Sequence, residues 1–135
     1  MKQRAMTVLL SIKPEFAEKI FDGTKKYEFR KSIFKNADVK TVIVYASSPV
    51  QRVIGEFTID RILNDDLSTI WNETERHAGI THDFYMSYFA NKEKAYAIKI
   101  RNAKRYAHAR RLSDYNIHYA PQSFANNDII IAWMN

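Results

Sequence analysis

A chain of 135 residues, 46% hydrophobic and 13% aromatic, has the apolar surface for one real core and no room for a second, so residues 1–135 read as a single globular domain. A net charge of +6 favours polyanionic partners, and the absence of cysteine excludes a disulfide framework, a thiolate-ligated zinc site and a thiol nucleophile. The basic start Met1-Lys2-Gln3-Arg4 leads into no apolar stretch of signal-peptide or membrane-spanning length, because Val8-Leu9-Leu10 is broken by Ser11 and Lys13; a cytoplasmic protein with no membrane partner is the expectation.

Residues 7–12 read as the first strand and residues 14–22 as a helix. Pro14 suits a first helical position, Phe16, Ala17, Ile20 and Phe21 form one apolar stripe, and Gly23 sits where a left-handed cap is needed. Residues 26–31 return to strand. A side-chain period of two sends Tyr27 and Phe29 to one face and Lys26, Glu28 and Arg30 to the other, while Lys25 sits at the bend with its direction undetermined. After a polar turn around residues 35–38, residues 39–46 are a nearly continuous apolar, β-branched run, as in a strand buried on both faces. Val53, Gly55, Phe57 and Ile59 then alternate with Ile54, Glu56, Thr58 and Asp60, so that one face enters the core. Gly55 within this strand predicts a bulge or a close backbone approach.

Two helices follow. Asp66 or Ser68 is placed to cap the first, which carries Leu67, Ile70 and Trp71 and ends near Gly79; Thr81 caps the second, whose Phe84, Tyr85, Tyr88 and Phe89 read as core. Residues 94–101 return to strand with Tyr96, Ile98 and Ile100 on one face, and residues 129–133 close the sheet. Between them lies a polar-aromatic loop, residues 112–128, with Tyr115, His118, Tyr119, Gln122 and Phe124; loops of this length are functional or disordered.

Arg101, Lys104, Arg105, Arg110 and Arg111 fall in a stretch without Asp or Glu, interleaved with Tyr106 and His108. Two readings stand: a nucleic-acid-binding strip with stacking groups between its cations, or a solvated strand edge guarded by charge. Known catalytic spacings are missing. His77, His82, His108 and His118 form no metal-ligand pattern, and no nucleophile elbow, P-loop or dinucleotide-binding glycine run is present. Candidate chemistry therefore rests on Lys25, Glu28, Arg30 and the hydroxyls of Ser47 and Ser48. A Lys beside a second cation in a dry cleft can act as base or nucleophile with Glu28 shuttling protons, or Arg30 can fork onto a phosphate while Glu28 orients it and the serines donate hydrogen bonds.

The pattern Gly23-x-Lys25-x-x-Glu28-x-Arg30 resembles the signature of the ASCH domain family, whose barrel is similar to the PUA domain of RNA-modifying enzymes. Three further segments are similar to a bacterial and phage subgroup: Ser11-Ile12-Lys13-Pro14, Tyr45-Ala46-Ser47-Ser48-Pro49 and Pro121-Gln122-Ser123-Phe124. The resemblance implies an α+β fold, a PUA-like mixed β-barrel with peripheral helices. It also implies a cleft joining Lys13, the Lys25 to Arg30 segment, the Ser47-Ser48 turn and the loop bearing Gln122 and Ser123. The implied partner is RNA or a nucleotide-like ligand, with no cofactor and no metal; the oligomeric state stays open. Acetylcytidine amidohydrolases similar to this family share the residues matching Lys25 and Arg30, but have Thr where this chain has Glu28 and a catalytic Glu that would fall near Ala78. Binding is thus the expectation. The alternatives are a hydrolase of an acylated nucleoside such as acetylcytidine, with Lys25 and Glu28 as base and proton shuttle, or a ribonuclease using the same groups. Lys25, Glu28, Arg30 and Ser47 are expected to converge in one pocket, with Glu28 paired to Arg30 or Lys25.

Overall fold

The computed structural model describes residues 5–35, 37–118 and 129–134, with backbone alone for residues 5–6 and 129–134. The elements run β1 (Ala5–Ile12), α1 (Pro14–Phe21), β2 (Tyr27–Arg30), β3 (Val39–Ala46), β4 (Arg52–Asp66), α2 (Leu67–Thr74), α3 (His82–Tyr88), β5 (Lys94–Arg110) and β6 (Ile129–Met134). Short 3-10 turns lie at Glu75–His77 and Leu112–Tyr115. One mixed sheet takes the strands in the order β2-β5-β4-β3-β1-β6. β1 and β3 pair in parallel across the crossover that α1 and β2 provide, and the other described ladders are antiparallel.

Burial follows the sequence pattern. From Val42 to Ala46 β3 is buried on both faces, as its unbroken apolar run requires, and β1 matches it from Thr7 to Ile12. On one face α1 lays Ala17 and Ile20 against Val8, Leu10, Val42, Val44, Phe57 and Ile98. The opposite face of β1 and β3 gathers Leu9, Ile43 and Tyr45 with Val53, Tyr106 and Ile117. A third cluster lies under α2 and α3, where Tyr85 and Phe89 close over Phe29, Ala95 and Ala97.

Three elements differ from their expected extents for physical reasons. α2 ends at Thr74, well short of Gly79, where the buried Thr74 hydroxyl donates to the Ile70 carbonyl at 2.7 Å and the chain tightens into the 3-10 turn. β5 runs on through Arg110 because bulges in its ladder with β4 keep it in register as far as Val53 opposite Arg110. And only Tyr85 and Phe89 of the four α3 aromatics are core; Phe84 and Tyr88 stay half-exposed. The bulges also curl the sheet. β2 and β1 stand four places apart in the strand order, yet Arg30 on β2 reaches the Ser11 carbonyl on β1 at 3.4 Å.

Candidate functional site

The turn out of α1 is built by Asp22, whose carboxylate accepts from the Thr24 amide at 2.8 Å and its hydroxyl at 2.7 Å, and by Gly23 at a φ of +88° that side chains resist. It delivers Lys25 inward, onto the face of β2 that carries Tyr27 and Phe29. Lys25 is 2% exposed; its Nζ donates to the Ala78 carbonyl at 2.7 Å and stands 4.9 Å and 5.5 Å from the ring centroids of Phe29 and Phe16. Its stem lies on Gly79, where an added Cβ would come within 2.6 Å of the Lys25 Cβ and Cγ. Burial pushes the ammonium down from 10.5 to about 8, the Glu28 carboxylate opposing this and Lys19 adding to it.

Glu28 and Arg30 point to the other face of β2 and are 7% and 5% exposed. Arg30 Nη1 lies 3.4 Å from Glu28 Oε2 and 3.4 Å from the Ser11 carbonyl, both longer than a good hydrogen bond of about 2.7–3.2 Å. The buried Ser11 hydroxyl has no hydrogen-bond partner among the described residues. Ser47, 2% exposed, donates its amide to the Ile12 carbonyl at 3.0 Å, where the parallel strands β1 and β3 end side by side. Arg30 thus reaches β1 at Ser11 and Ser47 bonds the next residue of that strand, while Lys25 lies on the opposite face of β2 and interacts with Glu28 through its charge. Lys26, expected on the Glu28 face, is exposed before the strand begins, and Ser48 is exposed beside the cis bond to Pro49. Lys13 is exposed too, its Nζ 5.3 Å from the Phe84 centroid. Gln122, Ser123 and Phe124 lie outside the described residues.

Arg101, Lys104, Arg105 and Arg110 ride on β5 and Arg111 follows it, all exposed. Though acid-free along the chain, the strip is not acid-free in space. Arg101 bonds Asp60 at 2.9 Å, with Lys99 3.6 Å from the same carboxylate, and Arg105 pairs with Glu18 of α1. Arg110 lies over the Tyr106 ring, 3.7 Å from its centroid, and donates to the Tyr115 hydroxyl at 2.9 Å. Among the described residues Lys104, Arg110 and Arg111 have no ion-pair partner. Past Ile100, whose amide donates to the Lys26 carbonyl, β5 is paired by β4 alone, so this half of the strand is an edge among the described residues.

The composition and spacing of these segments have counterparts elsewhere. Residues 10–104, which carry the Lys25 to Arg30 segment and both helices under which Phe29 packs, match the model of the ASCH domain. The chain belongs to the ASCH domain family. It superposes on the crystal structure of ASCH from Zymomonas mobilis with a TM-score of 0.79, at 29% identity over 96% of this chain and 87% of that one. It is 36% identical over 94 residues to a Zymomonas mobilis protein named ASCH domain-containing ribonuclease, covering 70% of this chain and 64% of the relative. A segment of the Ureaplasma parvum large ribosomal subunit protein uL22 is 30% identical over 118 residues, 87% of this chain and 38% of that protein. The chain thus spans under two thirds of either curated relative. Of the PUA-like mixed β-barrel with peripheral helices expected from the resemblance, the α+β, PUA-like fold with its mixed sheet and helices is found, while among the described residues the strand order runs open from β2 to β6 and closes no barrel.

Proposed function

We propose that this ASCH protein binds RNA, with Arg30 as the principal phosphate contact and Glu28 as the group that holds it in place. The observation that carries the reading is a guanidinium engaged, among the described residues, only through long bonds. Arg30 is buried at a steep desolvation cost, yet its described bonds, to Glu28 and the Ser11 carbonyl, are both 3.4 Å long, and the buried hydroxyl of that same Ser11 has no partner among the described residues. A fork of donors so loosely engaged gains more from a bidentate phosphate than it loses by leaving these partners. The net charge of +6 supports a polyanion, and the ribonuclease name of a relative 36% identical favours RNA among polyanions.

The same relative favours a second reading, in which the bound RNA is also cut. Glu28 is then the proton carrier. Lys25 does not suit a catalytic part, its Nζ being taken up by the Ala78 carbonyl and closed in by two rings. The acetylcytidine hydrolase reading draws no support, because the position near which its Glu would fall is Ala78, an apolar side chain with no exposure.

Fluorescence anisotropy with a short labelled single-stranded RNA tests the reading. Arg30→Lys keeps the charge and loses the fork, so at 1.5–3 kcal/mol for hydrogen bonds to a charged group it should weaken binding roughly ten- to a hundredfold. A wild type that leaves the RNA free, or an Arg30→Lys protein that binds equally well, would overturn it. Gel analysis of the same RNA separates the two readings: scission by the wild type that Glu28→Gln abolishes, with binding kept, establishes cleavage.

A further inference from the structure

We infer that Lys13, Lys31, Phe84 and Tyr88 form a base-stacking subsite for single-stranded RNA beside the Glu28–Arg30 pair, an inference that rests on the RNA reading above. Phe84 and Tyr88 lie four apart on α3 and so share one face; their rings are within 8° of parallel, with centroids 6.5 Å apart. Each ring carries a cation: Lys13 Nζ is 5.3 Å from the Phe84 centroid and Lys31 Nζ is 4.8 Å from that of Tyr88. Tyr85 and Phe89, next to them in sequence, are fully buried and fill the core, while Tyr88 only packs against its margin. The Phe84 and Tyr88 rings are half-exposed and fixed from behind, Phe84 by the edge of Phe16 at 5.1 Å and Tyr88 by Phe89 at 4.7 Å.

Tyr88 packs through Phe89 on the Phe29 face of β2, opposite Glu28 and Arg30, and the chain links this rim to the pair around that edge strand. Lys31 directly follows Arg30, and Lys13 stands two residues beyond Ser11, whose carbonyl Arg30 touches. At about 3.8 Å per residue, both cations lie within reach of nucleotides next to one whose phosphate Arg30 holds.

Magnitudes decide what occupies the rings. An exposed cation–π contact contributes about 0.5–1 kcal/mol, and a base stacked on an aromatic side chain about 1–3 kcal/mol. A base therefore displaces a lysine from its ring, and the flexible stem lets the ammonium swing to the flanking phosphate instead of being lost. Nearly parallel rings suit consecutive bases, which are themselves parallel when stacked.

The test compares a labelled single-stranded RNA with an abasic strand of the same length. Tyr88→Leu and Phe84→Leu should each weaken binding of the base-bearing strand by about fivefold or more, and leave the abasic strand within twofold of the wild type. Lys13→Gln with Lys31→Gln should flatten the log-log salt slope by about 1.4, at about 0.7 per phosphate contact on a single strand. Equal losses on both strands would show a damaged fold and not a stacking site, and would overturn the inference, as would an unchanged slope. If Arg30→Lys weakens binding while the rim variants do not, the rim alone falls; if the wild type binds no RNA, both readings fall together.

Discussion

At pH 7 the Lys25 ammonium is held by one carbonyl and two ring faces, and burial has brought its proton affinity down from 10.5 to about 8. The unfolded chain keeps this proton to about 10.5, so between those values it binds more protons than the folded protein, and stability rises with pH across the window. Below about 8 the cost of burying the charge is fully present, on the order of 3 kcal/mol. Lys25→Met has a similar length and no charge, but leaves the Ala78 carbonyl without its donor, a loss of about 1–3 kcal/mol that does not vary with pH. Urea titrations from pH 7 to pH 10.5 should therefore show the wild type gaining about 2–3 kcal/mol relative to Lys25→Met. Parallel pH profiles would mean that the ammonium is better solvated than this geometry allows. Gly79 belongs to the same arrangement: the stem of Lys25 occupies the space a side chain would need, and the backbone there is left-handed at a φ of +70°.

α1 is held on the sheet by a close approach that involves one glycine. An added Cβ at Gly55 of β4 would lie 2.4 Å from the Phe21 ring and 2.6 Å from the Lys104 carbonyl of β5. The ring can move and the carbonyl cannot, because it belongs to the ladder. Gly55→Ala should therefore cost about 1–3 kcal/mol in urea denaturation. Adding Phe21→Leu should recover only the part owed to the ring, giving a coupling energy smaller than the single cost. Full recovery in the double variant would place all the strain in the helix and none in the ladder. The same two strands carry the bulges that bend the sheet, so this contact bears on how Arg30 on β2 comes to face β1.

Over the whole molecule, the sign of the charge is set by composition and its usable distribution by the fold. Arg101 and Arg105 spend their charge on Asp60 and Glu18, so the cations of the strip without an ion pair among the described residues are Lys104, Arg110 and Arg111. Arg110→Ala with Arg111→Ala should flatten the salt slope for single-stranded RNA by about 1.4, at about 0.7 per contact. Glu18→Gln with Asp60→Asn frees Lys99, Arg101 and Arg105 and should tighten binding at low salt, with the gain fading as salt rises. Binding unchanged by either pair of substitutions would make this edge of β5 a guarded surface only.

Much of the fold was legible because it rests on local rules. The start of α1 at Pro14, the caps at Asp66 and Thr81, the doubly buried β3 and the close approach at Gly55 all follow from neighbours within a turn or a few strand residues. Strand parity likewise put Glu28 and Arg30 on one face, opposite Tyr27 and Phe29. Parity gave no direction for Lys25, which precedes the strand and is turned inward by Ala78 and Gly79, more than fifty residues away. Nor could spacing show that Arg101 meets Asp60 and Arg105 meets Glu18, pairs 41 and 87 residues apart that exist only through the bulged register of β4 and β5 and the seat of α1. That Ser47 bonds the residue after Ser11 depends on β1 and β3 ending together as parallel neighbours, and that Arg30 reaches Ser11 depends on the curl that carries β2 round to β1. Which aromatics of α3 fill the core and which remain half-open was decided in the same way. Helical period names a face, but only the packed sheet determines how much of that face it covers.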